Sequence, residues 1–392
     1  MNKAMTKVAL LDCSEYHARV IRDKILEGLS LLDLDPSLFF GKRVVVKPNL
    51  LSASVPEKAI VTHPEFFRGA LQAVKALGGN PVLVESPAFH PLDKVMRKTG
   101  YGAVVEEEGC EIADTKDTKV LFYEKGSRYR RFELPRLLFE ADIVLNLPKF
   151  KTHGLTYITG AVKNLFGFIH GLKKSQWHIK AKDKEAFSSL LLDLYEVITR
   201  GFEPPKKFLH VMDAIVAMEG DGPGSSGSPK EVGAMLMGED AIALDSIMVA
   251  ISGLDRDKAL TLGPGEERGL GTASMEGIHL RGLSLDDFSV DAFRPGVSSP
   301  VSRIDRWPMN TSFLKNLLIE KPLPLETKCI LCYECRAICP ASAIEKTDDK
   351  GKKPIYDYDK CIRCLCCMEI CPEGAITIKR GRLQGLLDRW VK

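Results

Sequence analysis

The sequence predicts an α/β fold with a mostly parallel sheet and flanking helices, followed by a small cysteine-rich α+β domain. Strand-like and helix-like segments alternate over the first two thirds of the 392 residues, which is typical of parallel strands joined by helices. Nine of the eleven cysteines lie between Cys329 and Cys371. In a chain with 45% hydrophobic residues, such a cluster indicates a metal-binding domain rather than a disulfide framework.

The beginning of the chain predicts three strands and two helices. Apolar residues recur at helical spacing after the first strand, as at Ile21, Ile25 and Leu29. Pro64 opens a second helix, and the following Gly-Gly pair at 78–79 ends it. The predicted strands are 8–11, 43–46 and 81–84, and the predicted helices are 18–32 and 64–77.

Strand and helix patterns continue to residue 252 and then weaken, with Gly, Pro and Ser punctuating 263–312. The segment "EKPLPLETK" (320–328) indicates a stiff connector, because its prolines favour extended backbone. We therefore expect an α/β domain at 1–320 and a second domain at 321–392, which ends in an amphipathic helix near Leu386. The predicted helices are 91–108, 156–169, 183–200 and 241–252, and the predicted strands are 110–115, 118–123, 142–147, 208–217 and 232–237.

Composition and charge exclude several classes of protein. The net charge of +3 and the pI of about 8.2 lack the strongly basic character of nucleic-acid binders. The apolar run at 8–11 is too short for the core of a signal peptide. No stretch approaches the eighteen or so apolar residues needed to span a bilayer. We expect a cytoplasmic protein without a membrane span, in a reducing compartment.

Two cysteine runs of identical spacing lie 361 − 329 = 32 residues apart. Each has the form C-x2-C-x2-C-x3-C-P, the pattern of bacterial two-cluster ferredoxins, in which the fourth cysteine of each run binds the other cluster. The spacing predicts two [4Fe–4S] clusters. One would be held by Cys329, Cys332, Cys335 and Cys371, and the other by Cys361, Cys364, Cys367 and Cys339.

Residues 322–380 thus resemble a two-[4Fe–4S] ferredoxin. Zinc is the alternative, since paired CxxC motifs also suit tetrahedral zinc, but two consecutive runs favour the clusters. Cys366 falls outside the spacing, and we expect it to be a small apolar residue beside a cluster. The resemblance implies one-electron transfer at low potential with a redox partner protein.

Polar side chains follow several predicted strands of the α/β domain. In open α/β sheets, ligands bind beyond the carboxyl ends of strands, so these residues predict an electropositive pocket for a carboxylate or a phosphate. Ordinary solvated loop charges are the alternative. The predicted substrate-binding residues are Lys47, Asn49, Lys149, Lys151, Lys163, Asn164 and Glu219, and His63 or His153 would supply a proton.

Two further segments are weaker candidates. The loop "GPGSSG" (222–227) matches a dinucleotide fingerprint in its letters, yet a strand rather than a helix is expected after it, which argues against dinucleotide binding. The basic stretch "GLKKSQWHIKAKDK" (171–184) is expected to be a solvated loop, and docking of an acidic redox partner is the alternative.

Several segments resemble the signatures of the domain of unknown function 362 family. They are "VVVKPNLL", "NLPKFKTHG", "GAVKNLFG", "MDAIVAMEGDGPGSSG" and "GEDAIALDSI". The resemblance covers most of residues 40–250 and implies one folded unit, often followed by a ferredoxin segment as here. It implies no settled reaction and assigns no catalytic residue.

Three hypotheses for the function follow. The first is an iron–sulfur oxidoreductase that passes electrons between the two clusters and a small anionic substrate in the α/β domain. The second is a non-enzymatic electron carrier whose large domain docks a partner enzyme. The third is a non-redox enzyme with structural or sensing clusters. The sequence does not separate the first two, and a ligand bound in the α/β domain would favour an enzyme.

Overall fold

Ten strands form one mixed, mostly parallel sheet that runs through the larger part of the molecule. The computed structural model describes residues 5–296 except 182 and 289, and residues 320–379 except 349 and 350. We call residues 5–296 the α/β unit and residues 320–379 the C-terminal unit. The expected α/β fold class is confirmed.

The elements of the α/β unit alternate between strand and helix. Its strands are β1 (Thr6–Asp12), β2 (Arg43–Pro48), β3 (Asn80–Leu83), β4 (Glu111–Ile112), β5 (Thr118–Phe122), β6 (Arg131–Pro135), β7 (Ile143–Leu147), β8 (Lys149–His153), β9 (Tyr157–Thr159), β10 (Lys207–Gly220), β11 (Gly227–Gly238) and β12 (Ile278–Gly282). Its helices are α1 (Ala18–Leu31), α2 (Pro64–Ala76), α3 (Leu92–Thr99), α4 (Tyr101–Glu107), α5 (Arg136–Glu140), α6 (Ala161–Asn164), α7 (Lys173–Lys180), α8 (Lys184–Arg200), α9 (Ala241–Ile251) and α10 (Gly263–Glu267).

The strand order of the main sheet is β12-β1-β11-β10-β7-β2-β3-β4. The five strands from β10 to β4 are parallel, whereas β11 is antiparallel to both β10 and β1. Strand β8 continues beyond β7 and pairs with β10 and β9. Strands β5 and β6 form a separate hairpin. The polar ends of β2, β7 and β8 therefore lie on one side of the molecule.

Helices cover both faces of the sheet, and the central strands are apolar on both faces for that reason. Strand β2 is buried from Val44 onward, and every residue of β7 is buried. Such continuous burial is typical of parallel strands between two helical layers. One layer of the core contains side chains of α1 and α2, and the other contains side chains of α8 and α9.

Two predicted helices are wrong in their extent. The helix predicted at 91–108 is two helices, because Gly100 between α3 and α4 has φ of 82° and interrupts the hydrogen bonding. The helix predicted at 156–169 is β9, a short α6 and a 3-10 turn. There the backbone N–H groups of Ala161 and Val162 donate to Asp245, and a side chain at Gly160 would overlap that carboxylate. The helix therefore begins only at Ala161.

The segment after Leu147 is a strand that the sequence did not predict, and the alternative of solvated loop charges is wrong for it. It is β8, which runs beside β10 so closely that all five of its residues are buried. Lys149 and Lys151 consequently point into the protein rather than into solvent. Within the weakly periodic region 263–312, the described part forms α10 and β12.

The C-terminal unit is built from short paired strands and two short helices. It contains β13 (Lys321–Pro324), β14 (Ile344–Glu345), β15 (Ile355–Tyr356) and β16 (Ile376–Lys379), with helices α11 (Glu334–Ile338) and α12 (Cys366–Ile370). The stiff connector expected at 320–328 is wrong in part, because β13 pairs antiparallel with β16. Prolines fit there because the strand lies at the edge of a two-stranded sheet. The amphipathic helix predicted around Leu386 lies outside the described residues.

Candidate functional site

The cysteines of the two runs surround two separate cavities in the C-terminal unit. The first cysteine cavity is lined by Cys329, Cys332, Cys335 and Cys371. The second cysteine cavity is lined by Cys339, Cys361, Cys364 and Cys367, and also by Cys366. Each cavity thus takes three cysteines from one run and the fourth from the other run, which is the grouping expected from the spacing.

The two cysteine loops have matching backbone conformations. Residues two and four positions after the first cysteine of each run have positive φ values of 56° to 63°. Non-glycine residues adopt this conformation rarely, so the loops are shaped for something other than local stability. The residues are Leu331 and Tyr333 in the first run, and Arg363 and Leu365 in the second.

Backbone N–H groups point at the fourth cysteine of each run. Ala343 N lies 3.3 Å from Cys339 Sγ, and Ala375 N lies 3.2 Å from Cys371 Sγ. Such donors stabilise thiolate sulfur. Among the described residues, no group of three or more His, Cys, Asp or Glu side chains is arranged to hold a single metal ion. Four cysteines around each cavity, in the spacing C-x2-C-x2-C-x3-C-P, fit a [4Fe–4S] cluster.

The C-terminal unit contacts the α/β unit through its two helices. His90 Nε2 lies 3.1 Å from Glu334 Oε1 of α11, and His153 Nε2 lies 3.2 Å from Glu369 Oε1 of α12. Ile338 and Ile370, one from each helix, pack with Ala88 of the α/β unit. These polar and apolar contacts place both helices against the polar edge of the sheet.

The Gly-rich loop at 222–227 belongs to this contact surface. A side chain at Gly224 would overlap the backbone of Glu369, and Ser226 Oγ donates to Ile376 O at 3.3 Å. The loop leads into β11, so the expected strand after it is confirmed. Its glycines allow the close approach of the C-terminal unit, which accounts for their presence without a nucleotide.

An interdomain cavity lies between the two units and encloses about 100 Å³. This is somewhat smaller than cavities of roughly 150 Å³ that hold benzene. The α/β unit supplies most of its wall, while α11 and α12 close one side. Its polar and aromatic lining includes Lys47, Asn49, Glu85, Thr159, Lys163, Asn164, Phe166, Lys174, His178, Phe187, Cys366 and Glu369.

Cys366 lies between the second cysteine cavity and the interdomain cavity. It lines both and is only 7% exposed. The interdomain cavity and the second cysteine cavity are therefore separated by little more than one side chain. The expectation of a small residue beside a cluster agrees with this position, but the sequence did not predict that the same residue borders a pocket.

Four of the residues predicted to bind substrate line the interdomain cavity. Lys47 forms a buried ion pair with Glu85, with Nζ 2.6 Å from Oε2. Asn49 and Asn164 bond each other, and Asn164 also bonds Asn146. The fourth residue is Lys163, whose Nζ has neither a hydrogen bond nor an ion pair with any residue that the structure describes.

Lys149 and Lys151 do not line the cavity, so the expected convergence of four lysines is wrong. Lys149 Nζ lies 2.9 Å from Asp213 Oδ2 and 2.7 Å from Tyr16 Oη. Lys151 Nζ donates to Asn49 Oδ1 and to Ile60 O. Both ammonium groups are buried within β8 and already have partners, because β8 is a sheet strand rather than a solvated loop.

His63 and Glu219 also lie outside the cavity lining. The His63 ring stacks on Tyr16 with centroids 3.7 Å apart, and its Nδ1 accepts from Glu65 N at the start of α2. Glu219 accepts two hydrogen bonds from Arg294. We define the Asp213 cluster as Tyr16, His63, Lys149 and Asp213.

His153 does not line the cavity itself but contacts Glu369, which does. Its Nδ1 accepts from Leu155 N at 2.9 Å, so the proton of the neutral ring is on Nε2, which faces Glu369. The 3.2 Å contact does not meet hydrogen-bond geometry, although the two groups interact electrostatically. Burial is the main reason that the pKa of His153 falls to about 4, and the nearby Lys163 adds to the decrease.

Helix α7 contributes two residues that the sequence did not predict for the site. Lys174 and His178 line the cavity, whereas a solvated loop was expected here. The two residues are four positions apart and therefore share one face of a helix, and that spacing is the signal that could have indicated them. The His178 ring stacks on Phe187 with centroids 4.3 Å apart.

The basic groups of the cavity are shifted toward their neutral forms. Burial lowers the pKa of Lys174 to about 7, with Glu85 opposing the shift and Lys47 and Lys163 adding to it. Burial likewise lowers the pKa of His178 to about 4. Perturbed groups in a cleft are typical of functional sites.

The part of the chain that the structure describes contains no helix long and apolar enough to cross a membrane.

Comparison with known families gives two matches. Residues 44–250 match the family described as domain of unknown function (DUF362), and residues 328–375 match the 4Fe-4S dicluster domain. The C-terminal unit is therefore a 4Fe–4S ferredoxin-type domain. A thylakoid-associated protein of Synechocystis sp. is 30% identical over 292 residues, which are 73% of this chain and 87% of that protein.

Two solved structures show a distant likeness. The lactate racemase apoprotein from Thermoanaerobacterium thermosaccharolyticum has 16% identity and a TM-score of 0.40, over 64% of this chain and 58% of its own. A protein from Thermotoga maritima has 12% identity and a TM-score of 0.35, over 53% of each chain. The match thus spans little more than half of either structure, and we conclude nothing about activity from it.

Proposed function

Because the chain belongs to the DUF362 family and contains a 4Fe-4S dicluster domain, we propose that it is an iron–sulfur oxidoreductase whose substrate is a small anion. The observation that carries the proposal is the position of Cys366, which borders both the second cysteine cavity and the interdomain cavity. A pocket next to a cluster site, walled by both units, suits a substrate that exchanges electrons with this protein.

Eight cysteines would hold the two clusters, four around each cysteine cavity. When bound, such clusters supply one-electron transfer at low potential. Buried apolar neighbours such as Ile344 and Ile376 surround the cysteines, and low polarity around a cluster tunes its potential. Cys366 is not among the eight in this assignment.

The remaining residues of the cavity would bind the anion and keep water away from it. Lys163 and Lys174 supply positive charge, while Phe166 and Phe187 exclude water from one side. A positive charge in a partly dry cavity attracts an anion more strongly than in water. Lys163 and Lys174 line the cavity, whereas Lys149 and Lys151 bond to other residues of the α/β unit. This difference supports a specific anion site.

Proton supply would fall to His178, which the sequence did not indicate, or to His153, which it did. His178 lines the cavity and holds one ring proton in its neutral form. His153 stays a candidate relay, since its Nε2 faces Glu369, which also lines the cavity. His63 has no place in the proposal because it stacks on Tyr16 in the Asp213 cluster.

A redox partner protein would exchange electrons at the other end of the C-terminal unit. The first cysteine cavity includes the exposed Cys332 and lies beside Ile330, which is 62% exposed. An exposed apolar side chain next to a cluster site offers a contact for a transient partner. The two cluster sites would then face the partner and the substrate, respectively.

The cluster assignment is tested by metal and sulfide analysis. Anaerobically prepared protein should contain about eight iron and about eight acid-labile sulfide per chain. Cys366→Ala should retain both clusters, whereas Cys367→Ala should lose one or convert it. Stoichiometric zinc without sulfide would contradict the assignment, and loss of a cluster in Cys366→Ala alone would show that the wrong thiol was chosen.

The oxidoreductase proposal is tested by following reoxidation of the reduced protein. Dithionite-reduced protein, freed of excess reductant, is mixed anaerobically with the low-molecular-mass fraction of a cell extract, and the visible absorbance of the clusters is recorded. We expect reoxidation that is slower in Lys163→Met by about tenfold or more. The matched control is Lys94→Met, whose half-exposed side chain lies outside the cavity.

Equal reoxidation in Lys163→Met and in the unaltered protein would count against a substrate in the cavity. It would favour the electron-carrier hypothesis instead, because a carrier needs no anion next to Cys366.

A further inference from the structure

The interdomain cavity contains three polar groups that lack partners among the described residues. Thr159 Oγ1 and His178 Nδ1 are fully buried atoms without a hydrogen bond, and Lys163 Nζ is also unpaired. Thr159 is 2% exposed and His178 is 7% exposed. Buried polar groups are almost always bonded, so three unpaired groups in one cavity indicate a ligand that supplies the missing partners.

Most of the other polar groups of the cavity are already paired, whereas Glu369 has only its electrostatic contact with His153. Glu85 accepts from Lys47 Nζ, Leu50 N and Ser86 N. The Lys174 ammonium donates to the carbonyl of Ser86. The Lys163 ammonium and the Thr159 hydroxyl can both donate, so a ligand that brings acceptor oxygens can bond to both.

The charge of the lining limits the charge of the ligand. Three lysines, namely Lys47, Lys163 and Lys174, line the cavity together with two glutamates, Glu85 and Glu369. The excess is 3 − 2 = 1 positive charge while Lys174, whose pKa is lowered to about 7 by burial, is protonated. A single negative charge balances it, whereas a dianion would overcompensate in a poorly solvated space.

The walls and the size limit the rest of the ligand. Phe166, Phe187 and Leu50 supply an apolar side of the lining, with Phe187 stacked on the His178 ring, and the volume of about 100 Å³ admits only a few heavy atoms. An apolar wall stabilises a hydrocarbon part and leaves a fully oxygenated anion such as phosphate without contacts on that side.

We propose, relying on the proposed function for the location of the site, that the interdomain cavity binds a small organic monocarboxylate. Lys163 binds the carboxylate, Thr159 and His178 bond its polar atoms, and the hydrocarbon part lies against Phe166 and Phe187.

The test uses isobutyrate as the probe and calorimetry on the full-length, anaerobically prepared protein. Isobutyramide is the uncharged match, and succinate and inorganic phosphate are the competing classes of anion. We expect isobutyrate to bind with a dissociation constant in the millimolar range or tighter. Isobutyramide, succinate and phosphate should each bind at least about tenfold more weakly, which is about 1.4 kcal/mol.

Lys163→Met should weaken isobutyrate binding by about tenfold or more, while Lys94→Met should not change it. If Lys163→Met fails to fold, Thr159→Val keeps the shape of the side chain, removes its hydroxyl group, and should weaken binding by several-fold. The proposal is overturned if succinate or phosphate binds more tightly than isobutyrate, if no carboxylate binds in the millimolar range, or if the variant that folds binds isobutyrate unchanged.

The outcomes also separate this proposal from the proposed function. Carboxylate binding that depends on Lys163, together with no substrate-dependent reoxidation of reduced protein, would support the site and contradict the oxidoreductase. Reoxidation that depends on Lys163 but is driven by another class of anion would support the oxidoreductase and contradict the monocarboxylate.

Discussion

The Asp213 cluster and the interdomain cavity contain the same kinds of residue in opposite states. In the Asp213 cluster, Lys149 bonds both Asp213 and Tyr16, while Tyr16 Oη also accepts from Val216 N. In the interdomain cavity, Lys163 and two other groups have no partner among the described residues. In the Asp213 cluster the chain itself supplies the partner of the lysine, whereas in the interdomain cavity the lysine has none among the described residues.

The difference shows which lysines serve the fold and which are available to a ligand. A buried charge is tolerated only when it is paired and hydrogen-bonded. Lys149 satisfies that condition within the protein, because Asp213 and Tyr16 compensate its charge at the junction of β8 and β10. Lys163 does not satisfy it, so its burial costs free energy that a bound anion would offset.

Removing Lys149 from the Asp213 cluster should have the largest effect on the free energy of unfolding. Lys149→Met leaves the carboxylate of Asp213 buried without its cation, and breaking a buried pair in this way costs about 3–5 kcal/mol. Denaturant unfolding of the variant should show this loss in the free energy of unfolding. Lys163→Met is the matched comparison and should change it by only about 0.5 kcal/mol. Equal losses of unfolding free energy in both variants would contradict the distinction between the Asp213 cluster and the interdomain cavity.

A methyl group at Gly167 should have an intermediate effect. It would overlap Lys47 Nζ and approach Glu85 Oε1 to 3.1 Å, so Gly167→Ala should strain the ion pair that closes one side of the cavity. Overpacking of this kind costs about 1–3 kcal/mol. Thermal unfolding measures it.

Gly102→Ala is the control for that substitution. The added methyl would meet only Met96 O at 3.9 Å, and the position lies in α4. Alanine is favoured over glycine in a helix, so this variant should be more stable by about 0.5 kcal/mol. A stable Gly167→Ala protein would show that Lys47 and Glu85 have room to separate, and the cavity would then be less closed than the contacts indicate.

The smallest expected effect is the pH dependence of anion binding. The pKa of Lys174 is lowered to about 7 by burial, with Glu85 opposing and Lys47 and Lys163 adding to the shift. Its positive charge is therefore present below pH 7 and lost as the pH rises through 7. Isobutyrate affinity should decrease between about pH 6 and about pH 8, by at most about tenfold per pH unit.

His178 does not contribute to this pH dependence, because its pKa is lowered to about 4 by burial and it is neutral over the whole pH range of the measurement. Lys174→Arg stays charged and should bind with little pH dependence. Affinity that increases with pH in the unaltered protein would contradict the assignment of Lys174 as a charge near the ligand.

Local patterns in the sequence were sufficient for most central strands, for the longer helices and for the cysteines. The apolar runs at 43–46 and 142–147 became β2 and β7 because central parallel strands are buried on both faces whatever surrounds them. The repeated cysteine spacing predicted the grouping around the two cysteine cavities, since three thiols in one tight loop must face the same cavity. The helix at 64–77 followed from Pro64 and the Gly-Gly pair.

Whether each polar residue has a bonding partner was decided only by the tertiary structure. Lys149, Lys151 and Lys163 look alike in the sequence, but pairing of β8 with β10 places Asp213 beside the first of them, and Asn49 bonds the second. Lys163 lies on α6, where the fold places no partner within reach among the described residues. Whether a charge is satisfied depends on residues distant in the chain, and local periodicity contains no information about them.

The same reason explains why His178 and Cys366 were missed as cavity residues. His178 becomes part of the site because α7 packs its ring on Phe187, and Cys366 because α12 docks against the polar edge of the sheet. The sequence by itself determined the cysteine grouping, the two families, the strands β1, β2, β3, β7, β10 and β11, and the longer helices α1, α2, α8 and α9. The docking of the two units decided the cavity, because its walls come from segments about two hundred residues apart, such as α6 and α12.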